Sequence, residues 1–196
     1  MFRGHQKKAL FLVAHPRTNS FSHFFSCFLA QNFLSSWEIA WRDLYRPPFD
    51  PLLKEEDFSG PLSEDIKAEM DLLFGSNVLF VFHPVWWYGM PAVLKGWIDR
   101  VLREGFAFKK DSKTGQSEGL LQGKGLILIR TAGASSAHSH CCWEKPWEYC
   151  GFDVLLSETL FDMSAPISDQ ECTQKMHQLR NKIISQLSYF APEASQ

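Results

Sequence analysis

Charge of one sign is what this 196-residue chain lacks: 20 basic and 22 acidic side chains leave a net charge of −2, without a run of either sign. Duplex nucleic acid and anionic membrane surfaces both demand a concentrated basic field, so neither is an expected partner. Cysteine is sparse. Cys27, Cys141, Cys142, Cys150 and Cys172 are odd in number and lack C-x-x-C spacing, which argues against a disulfide scaffold or a structural zinc site and for a reduced, cytoplasmic protein. Long apolar runs are missing too. The stretch Ala9 to Ala14 behind Arg3, Lys7 and Lys8 stops at His15-Pro16, too short for a signal-peptide core or a membrane span, so neither membrane insertion nor export by that route is expected. What the chain has in excess is aromatic: 17 Phe and 7 Trp suggest a site for a flat ligand, a buried subunit interface, or both. The length suits a single domain over residues 1–196, with 192–196 a frayed tail. Such a domain buries about 70% of its unfolded surface and needs no covalent or metal staple.

The apolar pattern alternates between strands and helices. Ala9–Ala14 and Asn77–Phe82 are continuous apolar runs of the kind buried on both faces of a parallel sheet. Glu38–Asp43, Gly125–Arg130 and Asp153–Phe161 complete five predicted strands. Between them, Ser22–Phe33 sets Phe24, Phe25, Phe28 and Leu29 on one helical face with Ser20 or Ser22 as a cap, and Ser63–Phe74 stops at Gly75. Pro91 opens a helix that runs to about Arg103, and Gln170–Leu187 forms the last one. Arg46–Pro61, with four of the ten prolines, reads as a long surface loop. This is a doubly wound α/β pattern joined by right-handed crossovers. Five strands without a Gly-x-Gly-x-x-Gly turn favour the flavodoxin-like order 2-1-3-4-5 over the six-stranded dinucleotide fold.

In that order ligands bind outside the carboxyl ends of the strands where the winding reverses. The three segments following the first, third and fourth strands are the unusual ones. His15-Pro-Arg-Thr-Asn-Ser-Phe-Ser22 leads short polar side chains into a helix, whose unpaired N–H groups, with Thr18, Asn19 and Ser20 as donors and His15 and Arg17 as charges, make a phosphate cradle or simply a capped turn. His83-Pro-Val-Trp-Trp-Tyr-Gly-Met-Pro91 sets Trp86, Trp87 and Tyr88 in a stiff loop, presented to a flat ligand or packed beneath neighbouring loops. Thr131-Ala-Gly-Ala-Ser-Ser136 has small residues that let the backbone approach a ring edge. His138, His140, Cys141 and Cys142 have no common metal-site spacing, so no metal is expected, and Cys142 has no identifiable base partner, nor does the chain contain a Gly-x-Ser-x-Gly elbow.

The run from His83 to Leu102, followed by Gly105-Phe-Ala-Phe108, resembles the flavodoxin-like NAD(P)H:quinone oxidoreductase family, which includes DT-diaphorase-like enzymes and the ancillary subunits of glutathione-gated potassium efflux systems. Ala14–Phe21, Asp43-Leu-Tyr45, Phe49-Asp-Pro51 and Cys150-Gly-Phe152 match in the same order, so the resemblance covers most of the chain. It implies that His15, Arg17, Asn19, Ser20, Phe21 and Ser22 hold the phosphate side of a flavin. Pro84, Val85, Trp86, Trp87 and Tyr88 would line the isoalloxazine, and Thr131, Ala132 and Gly133 would bond its pyrimidine edge. Two departures stand out. Relatives have Thr-Thr-Gly-Gly where this chain has Arg130-Thr-Ala-Gly133, and the following segment is about ten residues short by that resemblance, leaving His138 and His140 as approximate candidates for the catalytic side chains.

The resemblance thus implies hydride transfer from NAD(P)H to flavin and on to a quinone or similar acceptor, with the flavin carrying the chemistry. It favours FMN for so short a chain, with FAD as the alternative. It also implies a homodimer that shares Gly105–Phe108 and the loop aromatics. A flavin-bound regulatory subunit with a membrane efflux partner is the rival reading. A flavodoxin-type electron carrier is disfavoured by the near-neutral charge.

Overall fold

A computed structural model describes residues 6–32, 37–135, 143–163 and 168–190. Its centre is a five-stranded parallel sheet of β1 (Lys7–Val13), β2 (Trp37–Asp43), β3 (Val78–Pro84), β6 (Gly125–Thr131) and β7 (Asp153–Leu160), in the order β2-β1-β3-β6-β7. This is the expected 2-1-3-4-5 winding. The two extra labels belong to a small antiparallel hairpin, β4 (Phe108–Lys110) and β5 (Ser117–Gly119), inside what the sequence reads as loop.

The strands at the centre are apolar throughout because both faces are covered, and the period-two geometry of a strand splits their side chains into two cores. On one face Phe11, Val13, Phe80, Phe82, Ile127 and Ile129 pack under α1 (Phe21–Asn32) and α6 (Asp169–Tyr189). Leu10, Leu12, Leu79, Val81, Leu126 and Leu128 fill the other, with α3 (Glu64–Phe74) and α4 (Ala92–Val101) supplying Ile66, Leu73, Leu94 and Trp97. A buried polar triad ties that second layer together. Glu69 of α3 pairs with Arg42 of β2 and accepts from Trp97 Nε1 of α4 at 2.9 Å, so its charge is satisfied on both sides.

Most predicted elements stand within a residue or two. The Arg46–Pro61 segment is more ordered than a surface loop, since it contains α2 (Glu56–Ser59) and is clamped from beneath. The buried Arg100 of α4 donates to both carboxylate oxygens of Asp57 (2.9 and 3.2 Å) and to the Asp50 carbonyl (2.9 Å). The contact is close enough that α4 carries glycine at the crossing: a Cβ on Gly96 would sit 2.2 Å from the Pro51 carbonyl oxygen. A further short helix, α5 (Lys145–Tyr149), buries Trp147 against Trp97 and Phe152. The predicted frayed tail at 192–196 lies outside the described residues. Among those residues, no helix is long and apolar enough to cross a membrane.

The next-to-last residue of β3 is a buried histidine. Burial, with a smaller effect from nearby Arg130, pushes the His83 pKa down to about 4 from 6.5, while its Nδ1 bonds the Pro84 carbonyl at 2.8 Å. The folded chain therefore resists a proton that the unfolded chain accepts, so stability falls as pH drops from 6.5 towards 4. Urea unfolding across that interval is expected to show this slope reduced by about one proton in His83→Gln. Gly96→Ala is expected to lower the unfolding free energy by about 1–3 kcal/mol at neutral pH, through overpacking against Pro51.

Candidate functional site

Parallel pairing brings the ends of β1, β3 and β6 to one rim: Val13 stands opposite Phe82, and Pro84 opposite Thr131. The loops that leave these ends enclose a cavity of about 700 Å³. His15 lines it from the first loop, Pro84 to Trp87 from the second, and Thr131 to Ala134 from the third. Met163, three residues past the end of β7, closes the remaining side. Nothing in the sequence pattern marks Met163, because its position depends on the sheet order rather than on a local motif.

The first loop is shaped by its own backbone and by β2. His15 Nδ1 accepts the Arg17 N–H at 3.0 Å, so the proton of the neutral ring sits on Nε2. Burial is the largest effect on this ring and holds its pKa below 6.5. Ser20 caps α1, its Oγ accepting from the His23 N–H (3.4 Å) and its carbonyl from the Phe24 N–H (3.0 Å). Arg17 and Asn19 stand exposed on the rim, whereas the Ser22 side chain is buried and Phe21 stacks on Phe25 with ring centroids 5.7 Å apart. These last two residues offer the rim their first-turn backbone N–H groups, which have no intrahelical acceptor.

The second loop is a two-residue hairpin. Trp86 and Gly89 exchange both backbone hydrogen bonds at 2.9 Å, and the central Trp87 and Tyr88 have φ of 51° and 57°. That is the geometry of a type I′ turn, whose central positions normally hold Asn and Gly because a Cβ there costs roughly 1–2 kcal/mol. The rings are also open to solvent. Trp87 is 97% exposed and Tyr88 59%, so the aromatic run does not pack beneath its neighbours. Trp86 leans towards His15, with ring centroids 5.9 Å apart. Tyr88 sits on the same turn but does not line the cavity.

The third loop corrects one sequence expectation. The Ala132 N–H, expected as a donor to a ligand edge, donates instead to the Leu160 carbonyl at 2.8 Å, and the Ala132 carbonyl accepts from Met163. Its methyl is buried. Ala132 is thus stitched to the end of β7. Thr131, Gly133 and Ala134 line this wall, where the Ala134 carbonyl accepts from the Asp162 N–H at 3.2 Å.

Beneath the third loop lies a second polar cluster with no motif to announce it. The buried Arg130 reaches sideways to Thr159 Oγ1 (2.8 Å) and Ser157 Oγ (2.9 Å) of β7, and its Nη1 is 3.6 Å from Glu144. Trp143 covers the guanidinium at 5.4 Å and lies 5.6 Å from His83. The Cys150 thiol is pushed up to about 11 by burial, which removes it as a nucleophile at neutral pH. His138 and His140, the sequence-based catalytic candidates, lie outside the described residues, as do Cys141 and Cys142.

Comparison with known proteins agrees with this architecture. Residues 7–183 match a family described as having a flavodoxin-like fold. The chain is 33% identical over 139 residues to a Haemophilus influenzae protein named as an uncharacterized NAD(P)H oxidoreductase, covering 64% of this chain and 68% of that one. It is 31% identical over 192 residues to NAD(P)H dehydrogenase [quinone] 1 of Rattus norvegicus, covering 80% of this chain and 69% of that one. A crystal structure of a Streptococcus mutans protein superposes with a TM-score of 0.78 at 26% identity, covering 89% of this chain and 97% of its own. On its sheet order, the convergence of its three loops and these matches, the chain belongs to the flavodoxin-like NAD(P)H:quinone oxidoreductase family.

Proposed function

We propose that this protein is a flavin-dependent NAD(P)H oxidoreductase, a single flavodoxin-like domain that passes two electrons from NAD(P)H to a quinone or similar acceptor. The observation that carries the reading is the 700 Å³ cavity at the switch point of the sheet, walled on one side by a strained and exposed aromatic hairpin. Strain of that kind persists where the surrounding structure holds it and the site has a use for it. The names of the curated relatives favour an enzyme over an efflux subunit.

The residues present fit a flavin. The N-terminal turn of α1 offers unpaired N–H groups and the positive end of a helix dipole to a phosphate, with Arg17 and Asn19 beside it. His15 presents Nε2–H as a neutral donor. Trp86 and Trp87 would give a flat ring an apolar wall, and Thr131 and Gly133 would hold its polar edge. When bound, the flavin supplies the hydride chemistry. The chain's part is to orient the ring, to exclude water, and to leave one face open to nicotinamide and acceptor in turn. We assign FMN as the cofactor, with FAD as the alternative, and a cytoplasmic location.

A homodimer belongs to this reading as well. The exposed Trp87 and Tyr88 supply apolar surface for a second copy. The Gly105–Phe108 segment contributes less, because Ala107 is buried and Phe108 packs edge-on against Tyr149 within the same chain.

Acid release of the chromophore from the reconstituted protein, followed by mass analysis, is expected to return one FMN per chain, and NADH or NADPH should then reduce a soluble quinone well above the free-flavin background. A protein that retains no flavin overturns the assignment; retained FAD corrects only the cofactor. Replacing the strained pair, Trp87→Asn with Tyr88→Gly, is expected to stabilise the apoprotein by about 1–2 kcal/mol while weakening flavin binding, as thermal unfolding and fluorescence titration on one preparation would show.

A further inference from the structure

Arg46 lies just beyond β2, outside every motif that marks the site, yet its guanidinium reaches the first loop. Nη1 donates to the Pro16 carbonyl at 3.0 Å and Nη2 to the His15 carbonyl at 3.2 Å. Its charge is balanced locally, since Nε pairs with Oδ2 of the buried Asp43 at 2.9 Å. Nη2 also stands 3.1 Å from His23 Nε2, a nitrogen that lies 3.4 Å from the His15 carbonyl as well, so its role there depends on which ring nitrogen carries the proton. The same His23 Nε2 is 3.5 Å from Asp43 Oδ2, and the His23 N–H is held by the Ser20 cap. Asp43 Oδ1 in turn accepts from the Tyr45 N–H at 2.9 Å. With its charge paired to Asp43, Arg46 acts on the loop mainly through direction, its field adding a small lowering of the His15 pKa.

A peptide unit is planar, with its C=O and the following N–H pointing opposite ways. Pinning the Pro16 carbonyl to Arg46 therefore fixes the direction of the Arg17 N–H. That N–H donates to His15 Nδ1, which places the ring proton on Nε2, at the cavity wall. The two carbonyls held by Arg46 are also the loop oxygens that would repel an anion on the rim if they turned outward. We infer that Arg46 is a positioning residue for the phosphate side of the site: it straps the His15–Pro16 backbone from behind and through it sets the tautomer and direction of His15. The phosphate part of this inference rests on the proposed flavin function, whereas the strap and the tautomer do not.

Arg46→Lys keeps the pairing with Asp43 but cannot hold two carbonyls with a planar fork. Asp43→Asn/Arg46→Gln removes both charges together and leaves no buried carboxylate alone, so one variant of the pair remains informative if the other folds poorly. Apoprotein is titrated with FMN and with riboflavin, which differ only in the phosphate, so contacts to the ring cancel in the ratio of affinities. The wild type is expected to prefer FMN, and Arg46→Lys to lose about tenfold of that preference with riboflavin binding unchanged, the size of one hydrogen bond to a charged group. Nitrogen-15 NMR of the apoprotein, with the His15 signal assigned by its loss in His15→Gln, is expected to show the Nε2–H tautomer in the wild type and a mixture in Arg46→Lys. An unchanged FMN preference in both variants overturns the proposal, as does equal loss of FMN and riboflavin binding, the mark of a merely structural role. A wild type that binds neither flavin overturns the functional reading, and the tautomer measurement then decides the strap alone.

Discussion

Everything at the site depends on parallel pairing of three strands that are covered on both faces. β1, β3 and β6 have no polar face to offer, because apolar side chains fill both sides of the sheet. Polar chemistry is therefore confined to the strand ends, and a parallel arrangement collects the carboxyl ends along a single edge. The Val85 N–H donates to the Thr131 carbonyl at 2.7 Å, which continues the β3–β6 ladder one step beyond the sheet and locks the second loop to the third. The cavity walls are thus fixed by the same hydrogen-bond pattern that fixes the fold.

Behind two of the walls stand polar clusters built around the buried Asp43 and His23 and the buried Arg130. Asp43, His23 and Arg46 support the first loop, and Arg130, with Glu144, Ser157 and Thr159, supports the third. Such clusters add little net stability, since desolvation cancels most of their attraction, but they restrict the geometries their neighbours can adopt. Loops made of small and polar residues have no apolar core to hold them. Directional bonds to charged groups do that instead, and the stiffness of the site comes from them rather than from packing.

The sheet and its long helices were legible because burial on two faces leaves continuous apolar runs, and burial on one face leaves a helical stripe. Ala9–Ala14 and Asn77–Phe82 differ from β1 and β3 only at the ends. The cavity-lining residues His15, Pro84 to Trp87 and Thr131 to Gly133 were legible as well, since strand order dictates which loops meet. Three features were hidden for physical reasons. The β4–β5 hairpin and α5 are three to five residues long, shorter than any periodicity needs to declare itself. The capture of the Ala132 N–H by Leu160 depends on where β7 ends, which no local pattern records. Met163, Arg46 and Arg130 act across distances in sequence that only the folded chain closes.

Strain and exposure coincide at the Trp86–Gly89 hairpin. Two aromatic residues in left-handed conformation raise the free energy of the folded chain, and so does a tryptophan almost wholly in water. Both costs fall on the rim, whereas the strands beneath are covered by apolar side chains on both faces. The free energy of the fold is accordingly uneven, low along the strands and high at the rim. A molecule that covers Trp87 binds the folded state alone and stabilises it in proportion to the logarithm of its concentration over its dissociation constant. Occupancy of the cavity and stability of the protein are therefore linked quantities, and the linkage is strongest for a ligand that touches the hairpin and the strapped first loop together.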